Sequence, residues 1–400
     1  MISRQRLQKF NLCMEAGTRV VRYCFAVALT SALLAVFAAK RASAHKPVTS
    51  KYDYKKDIFP LLREHCGRCH VDGGPAPMSL MTYKDAMPWA ESIRDELTSG
   101  RMPPWPVDPT SPGIRGGHSI QSRDLDRIIV WASGGTPEGD PAAELPAVSL
   151  SRVWSLGPPD LQLSMPSPHS VPAGAMEDTV DFSLPLNFAE PKWIRAADLM
   201  PGTVSIVRDA LIQIENGPVL AVWEPGADPI PAPTATAFLV SPGSEIHLRI
   251  HYKKHFDQEQ ESLSDKSTVG LYFTQPTFSG RSIESASIAP AESKNDPAGA
   301  INFSGVLPKT AQIVALRPLL DRAYAHLDVD AVAPSGQKTS LLCLLGPRPQ
   351  WPRRYWLEKP VELPGGSRIE VFATPLADYS EEPKVSRAVP LELGIDYITQ

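Results

Sequence analysis

The stretch Cys66-Gly67-Arg68-Cys69-His70 has residue types and spacing that specify a chemistry outright. Two thiols three residues apart can both add to the vinyl groups of one porphyrin, and the adjacent imidazole is then held beneath the iron as its proximal ligand. Cys66, Cys69 and His70 are therefore expected to hold a covalent c-type haem. Half a zinc site would need a second pair of ligands nearby, and none is obvious; a thioredoxin-like pair would have no use for the histidine.

The sixth iron ligand is expected from Arg101-Met102-Pro103-Pro104-Trp105. A thioether opposite His70 stabilises ferrous iron and raises the potential, and the two prolines stiffen the chain just after Met102. Met78, Met81 and Met87 are competing sulfurs. His118, in the glycine-rich loop from Gly113 to Ser119, is the alternative axial ligand, and His65 is expected at the surface.

These residues need a small helical scaffold. Ile58, Leu61, Leu62 and His65 are spaced for one face of a short helix running into the motif. Ala86, Trp89, Ala90, Ile93 and Leu97 mark a second helix, with a cap at Thr82 and Asp85 and a stop at Gly100. A third has Leu125, Ile128, Ile129 and Ala132 on one face, acidic residues in its first turn and Gly134 after its end.

Ahead of this segment lie Arg4, Arg6, Lys9, Arg19 and Arg22, an apolar run from Tyr23 to Ala39 and the small-x-small triplet Ala42-Ser43-Ala44. This reads as an export signal cleaved after Ala44; left uncleaved, it would be a membrane anchor. Cleavage would make His45 the N-terminus. It would also remove seven basic residues and one acidic residue, taking the formal charge from -4 to -10. An acidic, exported chain disfavours a nucleic-acid partner and suits a basic redox partner. Of the five cysteines, Cys13 and Cys24 leave with the signal, and Cys343 is expected to be a buried, inert thiol in an apolar run.

From Gly134 to Ser151 the chain is rich in Gly, Pro, Ala and Glu, which marks a boundary. Beyond it the hydrophobic period changes from helical to alternating. Val204, Ile206, Ala210, Ile212 and Ile214 share one side of a strand with an exception at Arg208, and Ile246, Leu248, Ile250 and Tyr252 alternate cleanly. Further strands are expected at 269–273, 313–316, 327–332, 341–345 and 368–374. With 41 prolines in 400 residues, short strands joined by rigid turns are expected, forming one or two β-sandwiches.

The haem motif, Ala76-Pro77-Met78-Ser79-Leu80, Met81-Thr82-Tyr83, Pro88-Trp89-Ala90, Arg101–Trp105 and Gly135-Thr136-Pro137-Glu138-Gly139-Asp140 together resemble the cytochrome domain of a group of bacterial secreted proteins. In that group the cytochrome precedes a domain similar to the copper type II, ascorbate-dependent monooxygenases, the class that includes peptidylglycine-hydroxylating enzymes. Trp154, Gly157, Pro159-Asp160-Leu161, Trp193-Ile194-Arg195-Ala196, Pro201-Gly202, Pro225-Gly226-Ala227 and Pro242-Gly243-Ser244 leading to His251-Tyr252 extend the resemblance over residues 52–400. It implies a signal peptide at 1–44, a small all-α cytochrome c domain at 45–140, a linker at 141–152, and all-β jelly-roll-like sandwiches at 153–277 and 278–400.

The resemblance also implies two coppers held largely by histidine, with a methionine at the oxygen-binding site. Here the chain departs from it. Arg208-Asp209 stands where the family has a His-His pair, Arg317-Pro318-Leu319-Leu320 where it has Pro-His-Met-His, and Lys253 where it often has a second histidine after His251. Gly394-Ile395-Asp396-Tyr397 offers no methionine. His251 is the remaining copper-ligand candidate. On a strand, His247, His251 and His255 would lie about 13 Å apart, too far to share an ion, while His169 and His326 would have to approach from elsewhere.

The expected protein is thus a periplasmic or secreted one-electron carrier with haem c and no copper. Its monooxygenase-like β module would bind or dock a periplasmic redox partner. The alternative is a haem- and copper-dependent monooxygenase hydroxylating a small substrate.

Overall fold

A leading proline sets φ for a helix start, and Phe59-Pro60 opens α1 (Phe59–His65) after one π-helical turn at Tyr54–Ile58. The computed structural model describes residues 49–117, 119–290, 299–376 and 391–399. The expected signal, its cleavage site, His45 and His118 lie outside the described residues.

The helix expected across Ala86–Leu97 is three pieces: α2 (Tyr83–Ala86), a 3₁₀ turn at Met87–Trp89, and α3 (Ala90–Thr98). Pro88 is the physical reason, since it has no N–H and its ring crowds the preceding turn. The expected cap is present: Thr82 Oγ1 accepts from Asp85 N at 3.2 Å. α4 (Ser122–Ser133) follows the expected pattern and buries Ile128, Trp131 and Ala132. These helices close on a core that includes Tyr54, Leu62 and Trp131.

Beyond residue 160 the chain is almost wholly strand. One sheet has the order β1 (Leu161–Ser164), β10 (Thr268–Phe273), β4 (Lys192–Met200), β7 (Thr236–Val240), β11 (Arg281–Ser282). A second has β3 (Glu177–Pro185), β8 (Glu245–Lys253), β5 (Val207–Ile214), β6 (Val219–Trp223), and β2 (His169–Val171) pairs separately with β9 (Leu263–Asp265). The apolar side chains of these sheets share one core, so they form a β-sandwich. Two further sheets share a second core: β12 (Glu284–Ile288), β19 (Leu391–Thr399), β14 (Ala311–Leu320), β17 (Tyr355–Leu363), and β13 (Ile301–Val306), β18 (Arg368–Pro375), β15 (Tyr324–Val332), β16 (Lys338–Leu345). The first sandwich runs past the expected 277/278 boundary, because β11 still pairs with β7; the change of sandwich falls at Ile283.

On β8 the alternation expected from sequence is present, with Ile246, Leu248, Ile250 and Tyr252 buried. The exception at Arg208 is a β-bulge. Val207 pairs with Tyr252 and Asp209 with His251, leaving Arg208 as the extra residue that resets the phase of β5. Cys343 is half-buried rather than buried, because the strand alternation of Leu342, Cys343 and Leu344 turns it off the core face.

The segment between α3 and α4 is not a free loop. Val107 bridges to Leu344 on β16 and Ile114 to Leu357 on β17, with Asp108 N donating to Cys343 O at 3.0 Å and Arg115 N to Trp356 O at 2.8 Å. The helical segment is thereby stitched to the second sandwich, and residues 51–400 form one compact unit. Among the described residues no helix is long and apolar enough to cross a membrane.

The two sandwiches meet at a buried carboxylate. Asp396 on β19 pairs with Arg317 at 3.3 Å and Arg354 at 2.9 Å and accepts from Ser285 Oγ at 2.5 Å. Arg354 also donates to the carbonyls of Val219 and Leu220 on β6 of the first sandwich. Gly394 faces Arg317 across the sheet, and a Cβ there would stand 2.8 Å from its Cζ, so only glycine leaves room for the guanidinium. Asp396→Ala would strand two buried cations and is expected to cost about 3–5 kcal/mol. Urea unfolding measures this; a loss below about 1 kcal/mol would show that the cluster does not join the sandwiches.

Candidate functional site

Cys66, Cys69 and His70 lie in one tight turn leaving α1. Cys66 O accepts from both Cys69 N, at 3.1 Å, and His70 N, at 2.8 Å, so the backbone fixes all three residues together. Both cysteines are free thiols and half-buried. Burial pushes Cys66 up to about 12 and Cys69 up to about 11, so neither is the activated thiolate that a dithiol oxidoreductase uses.

The loop after the motif returns to it. Leu80 N donates to His70 O at 3.0 Å, and Tyr54, buried between Phe59, Tyr83 and Trp131, donates its hydroxyl to Leu80 O at 2.7 Å. This anchoring places the Met78 carbonyl 3.1 Å from His70 Nδ1. A carbonyl only accepts, so Nδ1 carries the hydrogen and the lone pair is at Nε2. Burial lowers the His70 pKa despite that bond, which keeps the ring neutral and ready to ligate a metal.

The first sandwich holds the same turn from its other side. Arg68 Nη1 donates to Gly226 O at 3.0 Å and pairs with Asp228 at 2.8 Å, and Cys69 Sγ lies 3.6 Å from Pro225 O. Gly226 has φ +76°, and a Cβ on it would stand 3.0 Å from Cys69 Sγ and 3.1 Å from Arg68 Cβ. Farther along, His255 Nε2 donates to Pro75 O at 2.8 Å. In the sequence, Pro225-Gly226-Ala227 stands out only through the family resemblance, and nothing local shows that it meets the motif.

The sulfur candidates are distributed unevenly. Met81 is buried, and a Cβ on Gly67 would stand 3.2 Å from its Sδ, while Met78 packs at the edge of the helical core. Met87 is 40% exposed on the 3₁₀ turn, which makes it the least suited of the four. Met102 is half-buried just beyond α3, where its N–H and that of Arg101 both donate to Glu96 O and Arg101 grips the Glu96 carboxylate at 2.7 and 2.8 Å. From there the chain leads to Trp105, which packs on Tyr355 and beneath Arg353. His65 is half-buried with its Nε2 shielded and unpartnered, not at the surface as its position beside Cys66 suggested.

Apart from His255, the β-half histidines are engaged with carboxylates. His251 Nδ1 meets Asp209 and Nε2 meets Glu177, each at 2.7 Å, so both nitrogens on which copper could bind are already in use. His247 pairs with Asp181 at 3.0 Å, His169 with Asp178 at 2.9 Å and His326 with Asp328 at 2.9 Å. Among the described residues no group of three or more His, Cys, Asp or Glu side chains is arranged to hold a metal ion.

Neither a family model nor a curated protein matches the chain. Among solved structures it is similar to the major capsid protein P2 of bacteriophage PM2, at 10% identity over 60% of this chain and 97% of that one, with a TM-score of 0.29. It is also similar to the tandem CBM22 domains of Paenibacillus barcinonensis Xyn10C (11% identity, 65% and 98% covered, TM-score 0.14) and to Bacillus subtilis oxalate decarboxylase (7%, 60% and 78%, TM-score 0.15). Likenesses this distant speak to neither fold nor function.

Gly226→Val is expected to push the 225–228 loop off Cys69 and to expose the motif to proteolysis. Arg68→Ala, which removes an ion pair about half exposed on both sides, should cost no more than about 1 kcal/mol. Equal protease sensitivity of the two variants would show that the loop does not clamp the motif.

Burial opposes charge on His251, but its hydrogen bonds and attraction to Asp209 and Glu177 outweigh it and raise the pKa above the ordinary 6.5. A raised folded pKa means that these pairs contribute fully below pH 6.5 and fade as pH rises through the folded value. The stability advantage of wild type over His251→Gln in urea should therefore be larger at about pH 5.5 than at about pH 8.5; an advantage independent of pH would count against an imidazolium there.

Proposed function

We propose that the chain is an exported c-type haem protein that transfers single electrons, with a small helical cytochrome domain fixed to a β module that binds or docks a redox partner. The observation that carries this reading is the His70 ring, locked through Nδ1 on the Met78 carbonyl with Nε2 left as the metal-binding nitrogen, beside two unpaired thiols in the same turn. That donor set fits haem c: Cys66 and Cys69 would hold the porphyrin edge and His70 the iron. Haem, when bound, supplies a one-electron iron couple. Met102 is proposed as the second axial ligand, on a segment that Glu96 and the docked Trp105 hold at both ends.

The resemblance to exported cytochromes fused to copper monooxygenase-like domains supports periplasmic or secreted placement, and the N-terminal sequence pattern agrees with it. The copper-monooxygenase alternative has less support. The candidate ligand His251 has both nitrogens on carboxylates, and the other expected positions carry Arg208, Asp209, Arg317 and Lys253.

Metal analysis of the mature protein should find about one iron per chain and no stoichiometric copper. Two coppers would transfer the function to the alternative, and absence of iron would remove the haem. Met102→Ala should lower the haem potential by on the order of 0.1 V, within the ~0.8 V span that axial ligands command. An unchanged potential would assign the sixth position to another residue, such as His118.

A further inference from the structure

The loop that gives His70 its carbonyl partner is itself held at Leu80. Leu80 N donates to His70 O at 3.0 Å, which ties the loop to the Cys66–His70 turn. Leu80 O accepts from the Tyr54 hydroxyl at 2.7 Å, which ties the loop to the helical core. Met78, whose carbonyl lies 3.1 Å from His70 Nδ1, is two residues away.

Tyr54 does not depend on that hydroxyl for its own place. The residue is fully buried, and its ring packs on Phe59, Tyr83 and Trp131 with centroids 6.2, 5.7 and 5.9 Å away. Its backbone N donates to Pro137 O at 2.9 Å, and the next residue's to Glu138 O at 3.1 Å. Removing the hydroxyl would therefore leave the ring seated and strip one partner from the Leu80 carbonyl.

The polar tips of this aromatic cluster divide between two loops. Tyr54 donates to Leu80, whereas Tyr83 donates its hydroxyl to Thr136 O at 3.0 Å and Trp131 its Nε1–H to Pro137 O at 3.1 Å. Tyr83 is thus a chemical match for Tyr54 in the same cluster, engaged with a loop that does not meet His70.

We propose that Tyr54 is a positioning residue for the iron ligand His70, its hydroxyl holding the Met78 carbonyl on Nδ1–H and so setting the donor strength of Nε2. The assignment rests on haem being bound at Cys66, Cys69 and His70. An imidazole that gives its second N–H to an acceptor is a more basic ligand. Greater basicity favours ferric iron, so Tyr54 lowers the haem potential, opposite to the effect of the Met102 thioether.

The test compares the full haem-loaded wild type with Tyr54→Phe and Tyr83→Phe. Redox titration gives the potential, and NMR of the reduced, ¹⁵N-histidine-labelled proteins gives the solvent exchange of the His70 Nδ1–H. Tyr54→Phe should shift the equilibrium about fivefold toward reduced haem, the worth of one hydrogen bond. That is a rise of roughly 40 mV at 59 mV per tenfold for one electron. Exchange of the Nδ1–H should quicken by a similar factor, and Tyr83→Phe should move neither quantity by more than about twofold. Unchanged potential and exchange in haem-loaded Tyr54→Phe would overturn the proposal alone. Equal shifts in both variants would also overturn it, by assigning the effect to a general loosening of the cluster. A wild type that takes up no haem would overturn the underlying reading and this inference with it. Should Tyr54→Phe not fold, the other two proteins decide. An Nδ1–H protected in both supports the proposal, and one that exchanges as freely as in an exposed histidine overturns it.

Discussion

One buried carboxylate sets the geometry on which the rest depends. Asp396 holds Arg317 and Arg354 within the second sandwich, and Arg354 reaches out to the Val219 and Leu220 carbonyls of the first. The neighbouring Arg353 takes Glu224 at the end of β6, and the chain then turns into Pro225-Gly226, against Cys69 and Arg68. A short path of ion pairs and backbone contacts therefore runs from the centre of the second sandwich to the Cys66–His70 turn. Buried pairs of this kind contribute little net stability over apolar packing, yet breaking one is costly, so their main effect is to fix one arrangement of the parts.

The helical segment is held at a second point, and the two attachments differ in kind. The 224–228 loop touches the motif itself. The 105–117 segment instead extends the strand pairing of the second sandwich through Val107 and Ile114, with Trp105 packed at its start. A helical unit of this size has a small core, and docking on a larger β body supplies burial that it could not provide alone. The consequence is positional: the Cys69 side of the motif faces the first sandwich and is covered by it.

Much of the local structure was legible in sequence because it depends on local rules. The Cys-x-x-Cys-His spacing, the apolar face of α4, the Thr82 cap and the β8 alternation all follow from period, capping and bond geometry. Arg208 could be seen to break the β5 pattern, but recognising a bulge required the partner strand. Pro88 is visible in the sequence, but the apolar spacing around it reads as one helix where the chain makes three pieces. The docking of 105–117, the Met78 carbonyl and the meeting of Pro225 with Cys69 were not legible, since each joins residues by contacts that no periodicity encodes. The half-burial of His65 and Cys343 is not legible for a related reason: burial of a single side chain depends on what lies across from it.

Where the resemblance implies copper ligands, this chain carries charged side chains that pair with one another. The resemblance places histidine at the sites of Arg208 and Asp209 and around Arg317, and a methionine near Asp396. In this chain Arg317 and Asp396 pair with each other, and Asp209 takes His251. Arg317 and Asp396 are both buried, and their pairing satisfies charges that would otherwise be buried alone. Arg208 completes the pattern. Burial lowers its pKa to about 10, well above neutrality, so it stays cationic, and its charge acts on Cys69. Under the proposed function, a fixed positive charge near Cys69 would favour the reduced haem.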